Sequence, residues 1–328
     1  MKEQVRLGIL GIGLDLPPAV SVRALATAGG SDVSAYQGWE MACRAKPEDH
    51  PSTMGARALQ QALAESGVSP GDLKLVIFSG ASRDYVPSWS VSTEIMRLCG
   101  VGDGCLGIDM TVGCLATLSA LDFIHGWLAV RGGGYAAVVA AERWSQTIDY
   151  SDSSASGLWS YGDSAGALVV GMGVPQKSLA DFLGAESRSD SRNNGFVLIP
   201  YGGTREPVAP PGANPNTRRV TEIPRKQITA AYRNGLGTAY AALQTRFNIQ
   251  PERVLCNQSS PQIVAMITES FGMQGRVVST GHKTGHLGPV DVIVGLRSVV
   301  EGGPIDVPTA VVSTTAYAYG VGLLVPPI

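Results

Sequence analysis

The run LKLVIFSG (73–80) is apolar at nearly every position, which predicts a strand buried on both faces. YAAVVAAE (135–142) reads the same way, VRLGILGIGLDLP predicts a first strand that ends at Pro17, and CLGIDM (105–110) a short one. Between these runs the period changes. In STMGARALQQALAESG, Ala58, Leu59, Ala62, Leu63 and Ser66 recur on one helical face, with Ser52 or Thr53 as a cap and Gly67 as the stop. Residues 88–99 and about 115–130 also read as helices, and YGDSAGALVVG (161–171) as a turn followed by a strand.

The second part of the chain repeats this rhythm. RKQITAAYRNGLGTAYAALQTRF predicts a long helix interrupted by Gly235 and Gly237. RVLCNQ (253–258) is a strand, PQIVAMITESFG a helix and RVVST (276–280) a short strand. GHKTGHLG reads as a loop, and PVDVIVGLRSVVEGG as a helix with Pro289 near its first turn. PTAVVST and AYAYGVGLLV close as strands. Each half alternates strand and helix and ends in a strand pair, so the pattern predicts a pseudo-duplicated α/β architecture with sheets between helix layers. The expected division is 1–171 as one half, 225–328 as the other, and 172–224 as a connecting excursion, a lid or interface, because SRSDSRNNG, PPGANPN and TRRV carry no period.

Composition narrows the function. With 328 residues, 44% hydrophobic, the chain can build a substantial core. A formal net charge of −2 with interspersed signs offers no field for nucleic acid or an anionic membrane. No apolar run reaches the roughly 18–20 residues of a membrane span. The N-terminal MKEQVRLGILGIGLDLPP lacks a signal peptide's long apolar region, so a cytoplasmic protein is expected. Five cysteines, an odd and widely spaced set without CxxC, argue for buried thiols rather than disulfides or zinc.

Cys114, in TVGCLATLSALDFIHGWLAV, stands between a short strand and an apolar helix. Free N–H groups at a helix start favour a thiolate, and Gly113 permits a sharp turn. A packed structural thiol fits the position as well, and packing is the better reading for Cys43, Cys99, Cys105 and Cys256. A nucleophile needs a base. His50 lies in a polar loop and His125 in mid-helix, whereas His282 and His286 share the glycine-rich GHKTGHLG. The HxxxH spacing would suit a metal on a helix, but Gly285, Gly288 and Pro289 indicate a loop, so no metal is expected. His286 can then be a base or a plain loop residue. Asn257 and Asp291 can each orient it, although Asp291 reads first as a helix-start charge complementing the dipole. Asp163 in YGDSAG reads as a backbone-bonding turn residue.

STMGARALQQAL, GIDMTVGCLATLSAL and WSYGDSAGALVVG together resemble the ketoacyl synthase III group of the thiolase superfamily, over nearly the whole chain. The resemblance implies the five-layered αβαβα thiolase fold, usually a homodimer, and a Cys–His–Asn catalytic set. Here the pattern departs. Where the family has HQAN this chain has NQSS (257–260), and where it has GNTS this chain has GHLG (285–288), so Asn257 and His286 stand in exchanged places. In a decarboxylating condensation, histidine and asparagine both donate to a thioester oxygen. Acyl transfer needs one cysteine and one placed histidine.

The exchange therefore resembles the acyltransferase subgroup of natural-product pathways. It implies transfer from a carrier-protein or coenzyme A thioester of phosphopantetheine, through acyl-Cys114, to a hydroxyl, amine or thiol, with no permanently bound cofactor. His286 would be the base, Asn257 its orienter or a thioester ligand, and Asp291 a third member. The family's GFGGGF loop is replaced by VSTTAY (312–317), so the oxyanion hole would combine Cys114 with Thr315 or Ala316. Arg205, Arg218, Arg219 and Arg225 would dock the carrier or coenzyme A, or form a solvated basic edge. The alternatives are a condensing 3-oxoacyl synthase III-type enzyme and a non-catalytic carrier-binding subunit.

Overall fold

The computed structural model describes residues 5–328, apart from Pro87, Pro215, Asn216, Glu222 and the side chain of Arg225. Ten strands form one sheet. They are β1 (Leu7–Asp15), β2 (Leu73–Ser79), β3 (Leu106–Met110), β4 (Gly134–Arg143), β5 (Asp163–Met172), β6 (Ala180–Ser189), β7 (Arg253–Cys256), β8 (Val277–Val278), β9 (Thr309–Thr314) and β10 (Ala318–Val325). The sheet order is β8-β7-β9-β10-β6-β1-β5-β4-β2-β3. Read from either outer edge inwards, the two halves are the same arrangement. The first three strands are parallel neighbours and the fourth and fifth antiparallel. The pseudo-duplication is thus visible strand by strand. β1 and β6 join the halves through the antiparallel pairs Leu7–Phe182, Gly8–Asp181 and Ile9–Ala180.

The helices repeat too. α1 (Pro51–Ser66), α2 (Val91–Cys99) and α3 (Ala116–Ala129) belong to the first half, and α4 (Arg225–Phe247), α5 (Pro261–Phe271) and α6 (Asp291–Val300) to the second. α1 and α2 cover one outer face, and α4 and α5 the other. α3 and α6 each touch strands of both halves and form the central layer. This is the five-layered thiolase fold. Its central core joins Leu118, Leu121 and Ile124 of α3 to Ile293 and Leu296 of α6, and both to Ile9, Phe182 and Val311 of the sheet.

Three expectations change. β6 lies inside the segment read as an irregular excursion, so the second half begins at Ala180 and the non-repeating segment follows Ser189. Burial of Ala180–Ala185 outweighs the polar Asp181, which is held by Ser178 (2.5 Å) and Arg6 (3.3 Å). Helix α4 runs 23 residues without interruption; Gly235 is there because the Tyr319 ring leaves no room for a Cβ. Helix α1 starts at Pro51, with the Thr53 hydroxyl accepting from the His50 N–H at 3.0 Å, rather than being capped by Ser52 or Thr53. Its buried face and its αL stop at Gly67 are as the periodicity predicts.

Candidate active site

The N-termini of the two central helices meet. Cys114 sits just before α3, after Gly113 at φ 53°, a left-handed conformation that favours glycine. A Cβ on Gly113 would lie 2.8 Å from the Thr315 methyl, so the turn is held against the β9–β10 connection. His286 precedes the short 3₁₀ turn Gly288–Val290 that opens α6. Thr117, in the first turn of α3, donates to the Pro289 carbonyl at 2.9 Å and ties the two helix starts together.

The Cys114 Sγ lies 3.3 Å from His286 Nε2, and His286 Nδ1 lies 2.6 Å from Asp291 Oδ2. Asp291 is fully committed: Oδ1 accepts from Leu287 N (2.9 Å) and Oδ2 also from Gln258 N (2.7 Å). The carboxylate acceptor makes Nδ1 the donor and turns Nε2 to the sulfur. Burial alone would push the His286 imidazole towards its neutral form. The Asp291 carboxylate and the Cys114 sulfur outweigh that and raise it to about 10. The arrangement is a Cys–His–Asp relay, buried at His286 and Asp291 and half-buried at Cys114, that can hold an imidazolium beside the sulfur.

The histidine backbone is fixed by the first half. His286 N donates to Ser160 O (2.8 Å), and Gly162 N to His286 O (2.9 Å). Asp163, next in the same turn, accepts from Ala45 N (2.9 Å) and Ser145 N (2.7 Å) and pairs with buried Arg143 (2.7 Å). YGDSAG therefore supports the histidine backbone. Gln258 anchors the loop from the other side, its Oε1 accepting from Thr280 and Gly281 N–H, each at 3.1 Å.

The sequence profile described as 3-oxoacyl-[acyl-carrier-protein (ACP)] synthase III matches residues 108–191. The β-ketoacyl-[acyl-carrier-protein] synthase III of Chlamydia pneumoniae is 24% identical over 78% of this chain and 76% of that protein. The namesake from Sphingopyxis alaskensis is 31% identical, over 38% of each chain. The chain thus spans well under two thirds of that relative. A solved structure, the priming β-ketosynthase of the R1128 polyketide biosynthetic pathway, superimposes with a TM-score of 0.84 at 22% identity, covering 100% of this chain and 98% of that one. The chain is similar to the ketoacyl synthases III.

In this site the sequence-predicted residues separate. Cys114, His286 and Asp291 come together. Asn257 is buried and makes no hydrogen bond to His286 among the described residues. Its Nδ2 donates to Gly288 O (2.9 Å) and its Oδ1 accepts from Thr314 N (2.7 Å), so it braces backbone rather than orienting the ring. The Thr315 N–H, expected at an oxyanion hole, is spent on Ala318 O (2.7 Å), and Ala316 offers its carbonyl to the Tyr319 hydroxyl (2.9 Å). Arg205 and Arg219 are exposed, Arg218 is half-buried near the site, and the Arg225 side chain lies outside the described residues. No described helix is long and apolar enough to cross a membrane.

The aromatic wall of the site was missed. Tyr161 meets the His286 ring edge-on (centroids 4.7 Å), and Trp144 packs against it at 5.3 Å. Gly288 adopts φ 64°, where the Trp144 ring leaves no room for a side chain. Isolated aromatics carry no spacing signal; only the parallel pairing of Tyr161 with His286 brings them to the site.

Proposed function

We propose that this chain is an acyltransferase that works through acyl-Cys114. The Cys114 thiolate attacks the carbonyl of a phosphopantetheine thioester carried by an acyl carrier protein or coenzyme A. The donor's C–S bond breaks, and the leaving thiol takes its proton from His286. With the sulfur acylated, the thiolate no longer supports the imidazolium. His286 then accepts the proton of an incoming hydroxyl, amine or thiol, which attacks the thioester and frees Cys114. Asp291 holds the ring throughout, and the Cys114 N–H, at the head of α3, serves the oxyanion.

The observation that carries this reading is the Cys114–His286–Asp291 relay, with Asn257 withdrawn into backbone hydrogen bonds. A condensing site needs two side-chain donors on the thioester oxygen, and here the Asn257 amide is already engaged by Gly288 O. The second reading, a decarboxylating 3-oxoacyl synthase, is favoured by the names of the family profile and relatives. Intact-mass measurement with a panel of acyl thioesters separates the two. Acyl transfer predicts an adduct on Cys114 that is discharged by an acceptor without CO₂. CO₂ release from malonyl thioester only in the presence of an acyl primer would favour condensation, and no adduct with any donor would leave the carrier-binding role.

The wider setting follows from the same reading. Exposed Arg205 and Arg219 suit an acidic carrier protein, and likeness to a polyketide priming enzyme suits natural-product biosynthesis. Five free cysteines suit a reducing cytoplasm, and the β3 edge of the sheet suits a homodimer.

A further inference from the structure

Arg218 leaves the segment that follows β6 and reaches the active site. Its backbone N–H donates to Thr147 O at 2.9 Å, which brings that segment down onto the Trp144–Thr147 turn. Its guanidinium lies over the Trp144 ring at 4.5 Å and the Tyr161 ring at 5.8 Å, the two rings that flank His286. Among the described residues the guanidinium has neither an ion pair nor a hydrogen bond. Burial works against its charge, and the groups that favour it are Glu142, Tyr161 and Cys114. Glu142 favours the charge through space, without an ion pair among the described residues. Its two oxygens are taken by Ala81 N (2.8 Å), Ser82 N (3.1 Å) and the Ser82 hydroxyl (2.6 Å).

A second group is unsatisfied beside it. The Trp144 indole Nε1 is buried and has no hydrogen-bond partner among the described residues. A cation and a neutral donor thus stand unspent among the described residues, at the rings that flank His286. Unpaired buried donors are costly, and a guanidinium with a free fork matches a planar carboxylate.

Resting on the acyl-Cys114 reading, we propose that Arg218, with the Trp144 indole, selects acyl groups that end in a carboxylate. Cys114 is then loaded from a dicarboxylic acyl thioester in preference to a simple alkanoyl one. Stacking on the rings that touch His286 places the cation at the acyl end of the substrate. A pantetheine phosphate is separated from its thioester by the whole length of the arm.

The test uses the full chain and N-acetylcysteamine thioesters, which carry no phosphate. Succinyl and butyryl donors of equal chain length are compared by the rate of adduct formation on Cys114. Wild type is expected to favour succinyl. In Arg218→Gln the succinyl-to-butyryl rate ratio is expected to fall roughly tenfold or more, the loss of one charge-assisted hydrogen bond. Arg218→Lys should retain part of the ratio, and Trp144→Phe, which keeps a ring, should lower it by less than Arg218→Gln. Equal slowing of both donors in Arg218→Gln overturns the proposal. So does an Arg218 effect that appears only with coenzyme A donors, which would assign the cation to a phosphate. Absence of any adduct in wild type would instead defeat the acyl-Cys114 reading itself.

Discussion

Asp291 and Asn257 test the site at the scale of single residues. Asp291→Asn keeps the size of the side chain but cannot support an imidazolium or fix Nδ1–H. Acylation of Cys114 is expected to fall on the order of 10²- to 10⁴-fold. The His286 ring, followed by NMR, should lose its proton at lower pH in Asp291→Asn than in wild type, where the carboxylate holds the imidazole well above its ordinary value. The sign for stability follows from the same shift. A histidine raised from 6.5 to about 10 contributes in full below pH 6.5, and the contribution fades as pH rises through 10. Denaturant midpoints should drop over that window in wild type and less in Asp291→Asn. Asn257→Ala acts differently, because it strands Gly288 O and Thr314 N in the interior. It should cost about 2–3 kcal/mol of stability in urea titrations while leaving the shape of the acylation pH profile as in wild type. A profile that shifted as in Asp291→Asn would return Asn257 to the relay. The sequence brought Cys114 and His286 forward through their neighbours. It left Asp291 beside Asn257 as one of two candidate orienters, since an acidic residue in a first helical turn already has a sufficient local reason to be there.

The elements around the site were readable where burial and period agree. The doubly buried runs of β2 and β4 and the one-sided face of α1 follow directly from apolar spacing. β6 was not readable, because Asp181 and the polar tail Glu186–Ser189 break the apolar run of a strand whose first six residues are buried. Its neighbours β1 and β10 decide its state, and neither is close in sequence. The turn into α3 is a local device with a sharper prediction. Gly113→Ala places a methyl 2.8 Å from Thr315 Cγ2 at a φ of 53°. Backbone strain there is worth about 1–3 kcal/mol, and relief requires Cys114 to move relative to His286. Acylation should therefore fall by more than stability does, read as rate against melting temperature. Unchanged acylation would show that the turn does not set the 3.3 Å sulfur–imidazole distance.

At the scale of the whole molecule, the pseudo-duplication builds the site. Cys114 precedes α3 and His286 precedes α6, the corresponding central helices of the two halves, so the relay exists only where the halves face each other. The same symmetry leaves two sheet edges, and they are unlike. β8 has two residues and follows Arg276, which leaves little backbone to pair. β3 has five residues, and Leu106 at its start is 50% exposed, as are nearby Tyr85 (68%) and Val86 (71%). An open edge invites pairing with another strand, and a second copy of β3 would satisfy it across a two-fold axis. The chain is therefore expected to run as a dimer in size-exclusion chromatography with light scattering. Leu106→Lys, a charge on the exposed edge, should shift it towards monomer without changing the melting profile at low concentration. If wild type is a monomer at micromolar concentration, or if Leu106→Lys leaves the dimer intact, β3 is not the interface. In the first case the relay is still complete without a partner, because Cys114, His286 and Asp291 all lie in one chain.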